Sequence, residues 1–370
     1  MFVSQKAYLV FSRMMSILGT TSAMASDAVQ SAVFGWPSQP PINKIDTHHH
    51  IVPDFYAKAV AAAGGDPSGW PTPVWSPQAS ELMMNHLGIK TAMLSVTAPG
   101  ACILNGTASH DLARRLNEFT AVIRDAQPST FGFFANLPNI LETAATLHEL
   151  AFAMDTLNAD GVILFTRYGE ENAYLGHPSI EPIWAELNQR KAVVFIHPTH
   201  PVDTNKVNPR LPQPLIDYPH ETTRAAMDMI TSGIRRKYPN CTVILSHAGG
   251  SLPYLISRVI EPLKRTGDLA AQAILGTSYS QAVDDFRSFH YDLALSTAPQ
   301  VLRMVLEMVP HDHILYGSDF PYAPAPAYPQ FLQNLEEFNM SPEVRDMINF
   351  GNARGLFPRL ADNGSEIRSF

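Results

Sequence analysis

From Lys44 onward, short and nearly unbroken apolar runs alternate with stretches whose apolar residues recur every three or four positions. The runs predict strands over Lys44–Val52, Lys90–Thr97, Thr130–Leu137, Gly161–Tyr168, Ala192–Pro198, Thr242–Gly249, Phe289–Ser296 and Ile314–Phe320. Unbroken apolar strands suit a parallel sheet covered on both faces, whereas a sheet with one wet face would alternate apolar and polar positions. The stretches between predict helices over Ser76–His86, Ser109–Ala126, Leu141–Leu157, Ser179–Arg190, Glu221–Tyr238, Pro253–Lys264, Pro299–Val309 and Tyr328–Phe338. In the second of these, Leu112, Leu116, Phe119 and Ile123 share one face. Strand then helix, repeated, predicts an α/β fold of the (β/α)8 TIM-like barrel class, one domain over residues 41–360. An open doubly wound sheet is the alternative, but no glycine-rich phosphate loop follows the first strand. Two connections are long, Ala61–Pro77 after the first strand and Thr199–Pro219 after the fifth. Both leave the carboxyl ends of strands, where barrels build their sites.

Composition narrows the partners. Of 370 residues, 45% are hydrophobic and 16% charged, and the net charge of -8 with no basic patch argues against nucleic acid or an anionic membrane surface. Cys102 and Cys241 lie far apart without metal-type spacing, so no disulfide framework is expected and a reducing, cytoplasmic setting is the default. Residues 1–40 read as an extension: the apolar run Ala7–Phe11 after Lys6 and the small residues Ala23-Met24-Ala25 are weakly signal-like, but Arg13 interrupts them. Residues 361–370 read as a tail, and no other stretch is long and apolar enough to span a membrane.

Polar residues then stand out at strand ends. In Ile45-Asp46-Thr47-His48-His49-His50, strand alternation sends His48 and His50 to one side and His49 to the other. His197 ends the fifth strand, His247 ends the sixth in Ser-His-Ala-Gly-Gly, and Asp319 ends the eighth in Tyr-Gly-Ser-Asp-Phe-Pro. A single histidine there reads as a core or capping group, and Asp in Gly-Ser-Asp as a turn residue. Together they predict one cluster at the barrel mouth, and imidazoles with a carboxylate suit zinc or a similar divalent ion with a position left open. His49, His110, His148, His200, His220, His290, His311 and His313 keep the structural reading.

The motifs Asp-Thr-His-His-His at 46–50, Phe-Ile-His-Pro at 195–198, Ser-His-Ala-Gly-Gly at 246–250 and Tyr-Gly-Ser-Asp-Phe-Pro at 316–321 resemble the amidohydrolase superfamily. Within it they resemble the branch of non-oxidative decarboxylases typified by aminocarboxymuconate semialdehyde decarboxylase. The resemblance implies one divalent ion, Zn2+ before Mn2+, on His48, His50, His197 and Asp319. It also implies His247 and Asp319 as the proton-handling residues, and Arg258 as a carboxylate-binding residue reaching a neighbouring subunit's pocket in a homodimer. Binuclear members carry a carboxylated lysine at the end of the fourth strand, and Leu164-Phe165-Thr166-Arg167-Tyr168 has none. Gly65–Trp70 and Tyr174–Gly176 are similar to the 6-methylsalicylate decarboxylases of fungal polyketide pathways, which implies an aromatic carboxylate as the small-molecule partner and Trp70 and Trp75 as pocket walls. A mononuclear hydrolase of a lactone or amide is the rival reading.

Overall fold

Eight parallel strands run in chain order around one sheet: β1 (Lys44–Ile51), β2 (Ile89–Val96), β3 (Phe131–Asn136), β4 (Gly161–Phe165), β5 (Val193–His197), β6 (Thr242–Leu245), β7 (His290–Asp292) and β8 (Ile314–Leu315). The structure, a computed structural model, describes residues 44–360. The expected extension over residues 1–40 and the tail over 361–370 lie outside the described residues. The sheet closes where β1 meets the segment after β8. Thr47 donates its backbone N–H to the Tyr316 carbonyl at 3.0 Å, Asp319 to His48 at 2.8 Å and His50 to Phe320 at 2.7 Å. This is the barrel that the alternation predicts.

The strands are sealed on both faces, and every residue of β1, β3, β4 and β5 is buried. That two-sided burial is why β3, β4 and β5 are largely apolar without alternation, while β1 buries Lys44, Asp46, Thr47 and three histidines. Helices cover the outside, among them Pro77–Leu87, Gly106–Ala126, Glu181–Gln189, Gln213–Thr231, Leu252–Ile260, Pro299–Met308 and Ala327–Glu337. Ser76 caps the first of these, its side chain accepting from the Ala79 N–H with Pro77 in the first turn, and Gly88 ends it in the left-handed conformation.

Some boundaries differ from expectation. The fourth strand stops at Phe165, and Arg167–Tyr168 pairs antiparallel with Ala173–Tyr174 in a small ribbon. The last three strands are shorter than their apolar runs: the chain leaves the ladder before His247 and before Asp319, and β7 ends at Asp292. The long fifth connection ends early, since a helix begins at Gln213 with Pro214 in its first turn and carries Pro219 inside. Helices over Asp54–Ala62, Asp268–Leu275 and Tyr279–Ser288 complete the shell. Among the described residues, no helix is long and apolar enough to cross a membrane.

Candidate metal centre and pocket

His48 and His50 stand on the inward side of β1, His197 ends β5, and Asp319 sits just beyond β8. One ligand atom from each lies within 4.8 Å of the others, and all four residues are buried. The fold supports this convergence closely. Gly317 lets the β8 segment approach, since a Cβ there would lie 2.9 Å from the Cβ of His48. Asp319 itself adopts φ +60°, a left-handed conformation uncommon for a residue with a side chain.

Each imidazole is oriented through its other nitrogen. His48 Nδ1 donates to Asp292 Oδ2 at 2.9 Å, and His197 Nδ1 to the Pro198 carbonyl at 2.7 Å. His50 Nδ1 lies 2.9 Å from Ser95 Oγ, whose own hydroxyl proton points to the His49 carbonyl at 3.3 Å, so Ser95 accepts from His50. With Nδ1 carrying the proton, all three rings turn a bare Nε2 inward, which is the tautomer that metal-binding histidines are held in by their outer partners. His48 Nε2 and His50 Nε2 are 3.0 Å apart, and Asp319 Oδ1 is 3.3 and 3.2 Å from them. Two imidazole lone pairs that close call for a cation or a proton between them.

The electrostatics agree. Burial alone would lower the His48 pKa, but the Asp292 and Asp319 carboxylates outweigh it and raise it to about 10. Burial lowers His50 to about 4 and, with the neighbouring imidazoles, takes His197 well below the usual histidine range. Burial opposes ionisation of Asp319, yet the charge on His48 and the hydrogen bonds from His247, His48 and His50 carry it well below the usual carboxylate value. The pocket thus favours one positive charge against an ionised carboxylate, and a divalent ion on three nitrogens and an oxygen fits it.

His247 stands beside this cluster. Its Nε2 is 3.4 Å from Asp319 Oδ2, while its buried Nδ1 has no hydrogen-bond partner. The loop holding it is tightly specified: His247 and Ala248 both have φ +55°, and a Cβ on Gly250 would strike the Pro219 carbonyl oxygen at 2.1 Å. Asp292 ties the two parts together, accepting from the His247 backbone N–H at 3.2 Å through the carboxylate that also holds His48. Sequence reading missed Asp292 and Ser95. The available signal for the first was a carboxylate inside the apolar run Phe289–Ala294.

A cavity of about 460 Å³ opens onto His197, His247 and Asp319. Trp70 lines it, and the buried Trp70 Nε1 has no partner. Trp75 does not reach the cavity: it is buried against Phe119, its Nε1 donating to Ser80 Oγ at 2.9 Å. Arg258 is exposed on the helix Leu252–Ile260, away from the residues that line this chain's cavity. Arg167 turns from the strand end to the His200 and Gly169 carbonyls, at 2.9 and 2.8 Å. His200 stays outside the four-donor group, and His49 points away from it to Asp46 and Ser80.

Comparison with known proteins adds three findings. Residues 45–359 match a family described as Amidohydrolase. The chain is 49% identical over 318 residues to a 6-methylsalicylic acid decarboxylase of Penicillium expansum, covering 86% of this chain and 97% of that one. It is 47% identical over 323 residues to a 6-methylsalicylic acid decarboxylase of Aspergillus aculeatus, covering 86% and 96%. Among solved structures, a dihydroxybenzoic acid decarboxylase of Polaromonas with bound manganese and the inhibitor 2-nitroresorcinol superposes with a TM-score of 0.70 at 23% identity, covering 85% of this chain and 97% of that one.

Proposed function

The chain belongs to the amidohydrolase family, and on that premise we propose that it is a non-oxidative, divalent-metal-dependent decarboxylase that converts 6-methylsalicylate to 3-methylphenol and carbon dioxide. The observation that carries the reading is the four-donor cluster at the end of a largely apolar cavity. The near half-identity to two 6-methylsalicylic acid decarboxylases along almost their whole length supports the substrate. With both relatives named decarboxylases, the reading as a lactone or amide hydrolase is not retained.

His48, His50, His197 and Asp319 would hold the ion, zinc or manganese, which supplies Lewis-acid stabilisation of the substrate's carboxylate and phenolate charge. The chain's own residues do the rest. The cavity walls hold the ring and keep water away. Asp319 faces the donors through Oδ1 and His247 through Oδ2, so a proton on His247 Nε2 has a 3.4 Å path to Asp319. Protonation of the carboxylate-bearing carbon from this pair breaks the ring–carboxylate bond and releases carbon dioxide. Asp292 fixes the loop of His247 and the ring of His48 together, so the proton-handling pair and the donor set keep one geometry. Exposed Arg258 is available to a second copy of the chain, and we place it in the partner's pocket of a homodimer.

The test is turnover in deuterated water, with metal content measured on the same sample. Metal-loaded protein is expected to release carbon dioxide from 6-methylsalicylate and to give 3-methylphenol with a solvent deuteron on the former carboxylate-bearing carbon. Chelation should abolish this and re-addition of zinc or manganese restore it. An enzyme that ignored every hydroxybenzoate would overturn the substrate and leave the metal cluster to be explained otherwise.

A further inference from the structure

At about 460 Å³, the cavity is about three times the size of an apolar cavity known to hold one benzene. It is therefore larger than a single methylated ring requires, and its walls divide by chemistry. Around the loops after β1 and β2 its lining includes Asp66, Ser68 and Thr97 beside Trp70 and Ala98, and around β7 and β8, beside Ser296, it includes Leu295, Val301, Met304, Ala327 and Phe331. These last five are only half-buried, although Leu302, Val305, Tyr328 and Leu332 beside them in sequence are sealed in the core. They owe their exposure to the cavity they face.

Backbone strain points to the same wall. Among the described residues six non-glycine positions have positive φ, and four of them, His247, Ala248, Leu295 and Asp319, line this cavity. His247 and Asp319 handle the proton and Ala248 belongs to the His247 loop. Leu295, at φ +52°, carries no polar chemistry. A leucine in the left-handed region is a costly choice that persists where its surroundings impose it, and such outliers gather at ligand sites. What the conformation delivers here is an apolar side chain at the wall beyond the donor cluster.

We infer that this apolar half is an extension subsite, and that the enzyme also decarboxylates 6-alkylsalicylates with chains longer than methyl, the chain lying against Leu295, Val301, Met304 and Phe331. This rests on the reading of the site as an aromatic decarboxylase. The reaction balances in the same way: the ring–carboxylate bond breaks, its electron pair takes a proton at that carbon, carbon dioxide leaves and a 3-alkylphenol remains. The opposite wall would set an alkyl chain against the Asp66 carboxyl and the Ser68 hydroxyl, so the chain goes to the β7–β8 side.

The experiment compares 6-methyl-, 6-ethyl- and 6-propylsalicylate on metal-supplied enzyme, and measures binding of the corresponding 3-alkylphenols by calorimetry as a readout separate from turnover. KM and the phenol Kd are expected to fall about fourfold per added methylene. The propyl compound should be at least as efficient a substrate as the methyl one. Met304→Trp, which fills the subsite, should lower the propyl-to-methyl ratio of kcat/KM at least tenfold. A propyl compound less efficient than the methyl one overturns the inference, as does 3-propylphenol binding no more tightly than 3-methylphenol. If no salicylate is turned over, the decarboxylase reading fails instead, and the phenol affinities alone decide whether the apolar subsite exists.

Discussion

The two ends of the barrel are built on opposite principles. At the amino end, Lys44 at the start of β1 is fully buried yet paired with Glu336 at 3.1 Å. Asp160, just before β4, takes Arg359 in two hydrogen bonds of 2.9 and 3.1 Å and the Phe133 N–H at 2.9 Å. Its left-handed residues, Asn158 and Lys191, sit in turns entering strands. At the carboxyl end, strained residues line the cavity, and two of the residues lining it keep a buried atom without a partner, His247 Nδ1 and Trp70 Nε1. Unpartnered buried polar atoms occur at both ends, His290 Nδ1 at the start of β7 among them, but only at the carboxyl end do any belong to residues that line the cavity. Stability and chemistry are thereby separated along the barrel axis, as active-site placement at the carboxyl face requires.

The comparison breaks most visibly if the carboxyl end proves to carry the stability. His197→Ala should lose the ion and the activity together, whereas His247→Ala should keep near-normal metal content and lose about 10²- to 10⁴-fold in turnover; elemental analysis beside kinetics separates the two. If His247→Ala strips the metal as thoroughly, His247 belongs among the ligands. At the amino end, Asp160→Ala is expected to cost about 2 kcal/mol, less than a fully buried pair because Arg359 is about a third exposed. Denaturant unfolding measures that cost, and kcat/KM should not change.

A third test uses pH. His290, at the start of β7, is stacked on His313 at 4.1 Å with its buried Nδ1 unpartnered, and burial with the charges of His313 and Arg235 lowers its pKa to about 3. Between the ordinary histidine value and 3 the unfolded chain binds a proton that the folded chain refuses, so stability falls as pH falls through that window. The slope from this group is at most about 1.4 kcal/mol per pH unit, and His290→Gln should reduce it in unfolding curves taken from pH 7 to pH 4. The smallest effect is expected of Ala248→Gly. Relieving a left-handed alanine should stabilise the fold by about 1 kcal/mol, while the looser loop lowers kcat through His247. A glycine variant both more stable and fully active would show that this strain has no use.

Much of this was legible in the sequence, and the failures have physical causes. β2, β3 and β5 are read to within a residue at each end because two-sided burial forces nearly continuous apolar runs, whereas the fourth strand is over-read by the three residues that lead into the Arg167–Tyr168 ribbon. β7 and β8 are over-read because apolar residues continue past the last ladder pair, beyond Asp292 in one and into the turn that carries Asp319 in the other. Asp268–Leu275 and Tyr279–Ser288 escape notice because the alternation assigns one helix, Pro253–Lys264, to the interval between the sixth and seventh strands, and the chain there folds two more. The convergence of His48, His50, His197 and Asp319 follows from barrel geometry once the strands are placed. Asp292, Ser95 and the apolar wall around Leu295 do not, since they act through contacts that no spacing encodes.

The seam between β1 and the segment after β8 has a consequence for the life of the chain. Asp46 accepts from the Ser318 N–H at 2.9 Å and from the Ser318 hydroxyl across 272 residues of sequence, and the donors on His48 and Asp319 meet across the same join. During synthesis, then, the first residues of the four-donor group emerge long before the last, and no partial barrel holds the full set. The cost of closing so long a loop grows only slowly with its length, but it must be met before the site exists. On the proposed function, metal capture at full affinity would wait for the final strand to dock, and the rate at which a refolding chain takes up added ion would time the closing of the barrel.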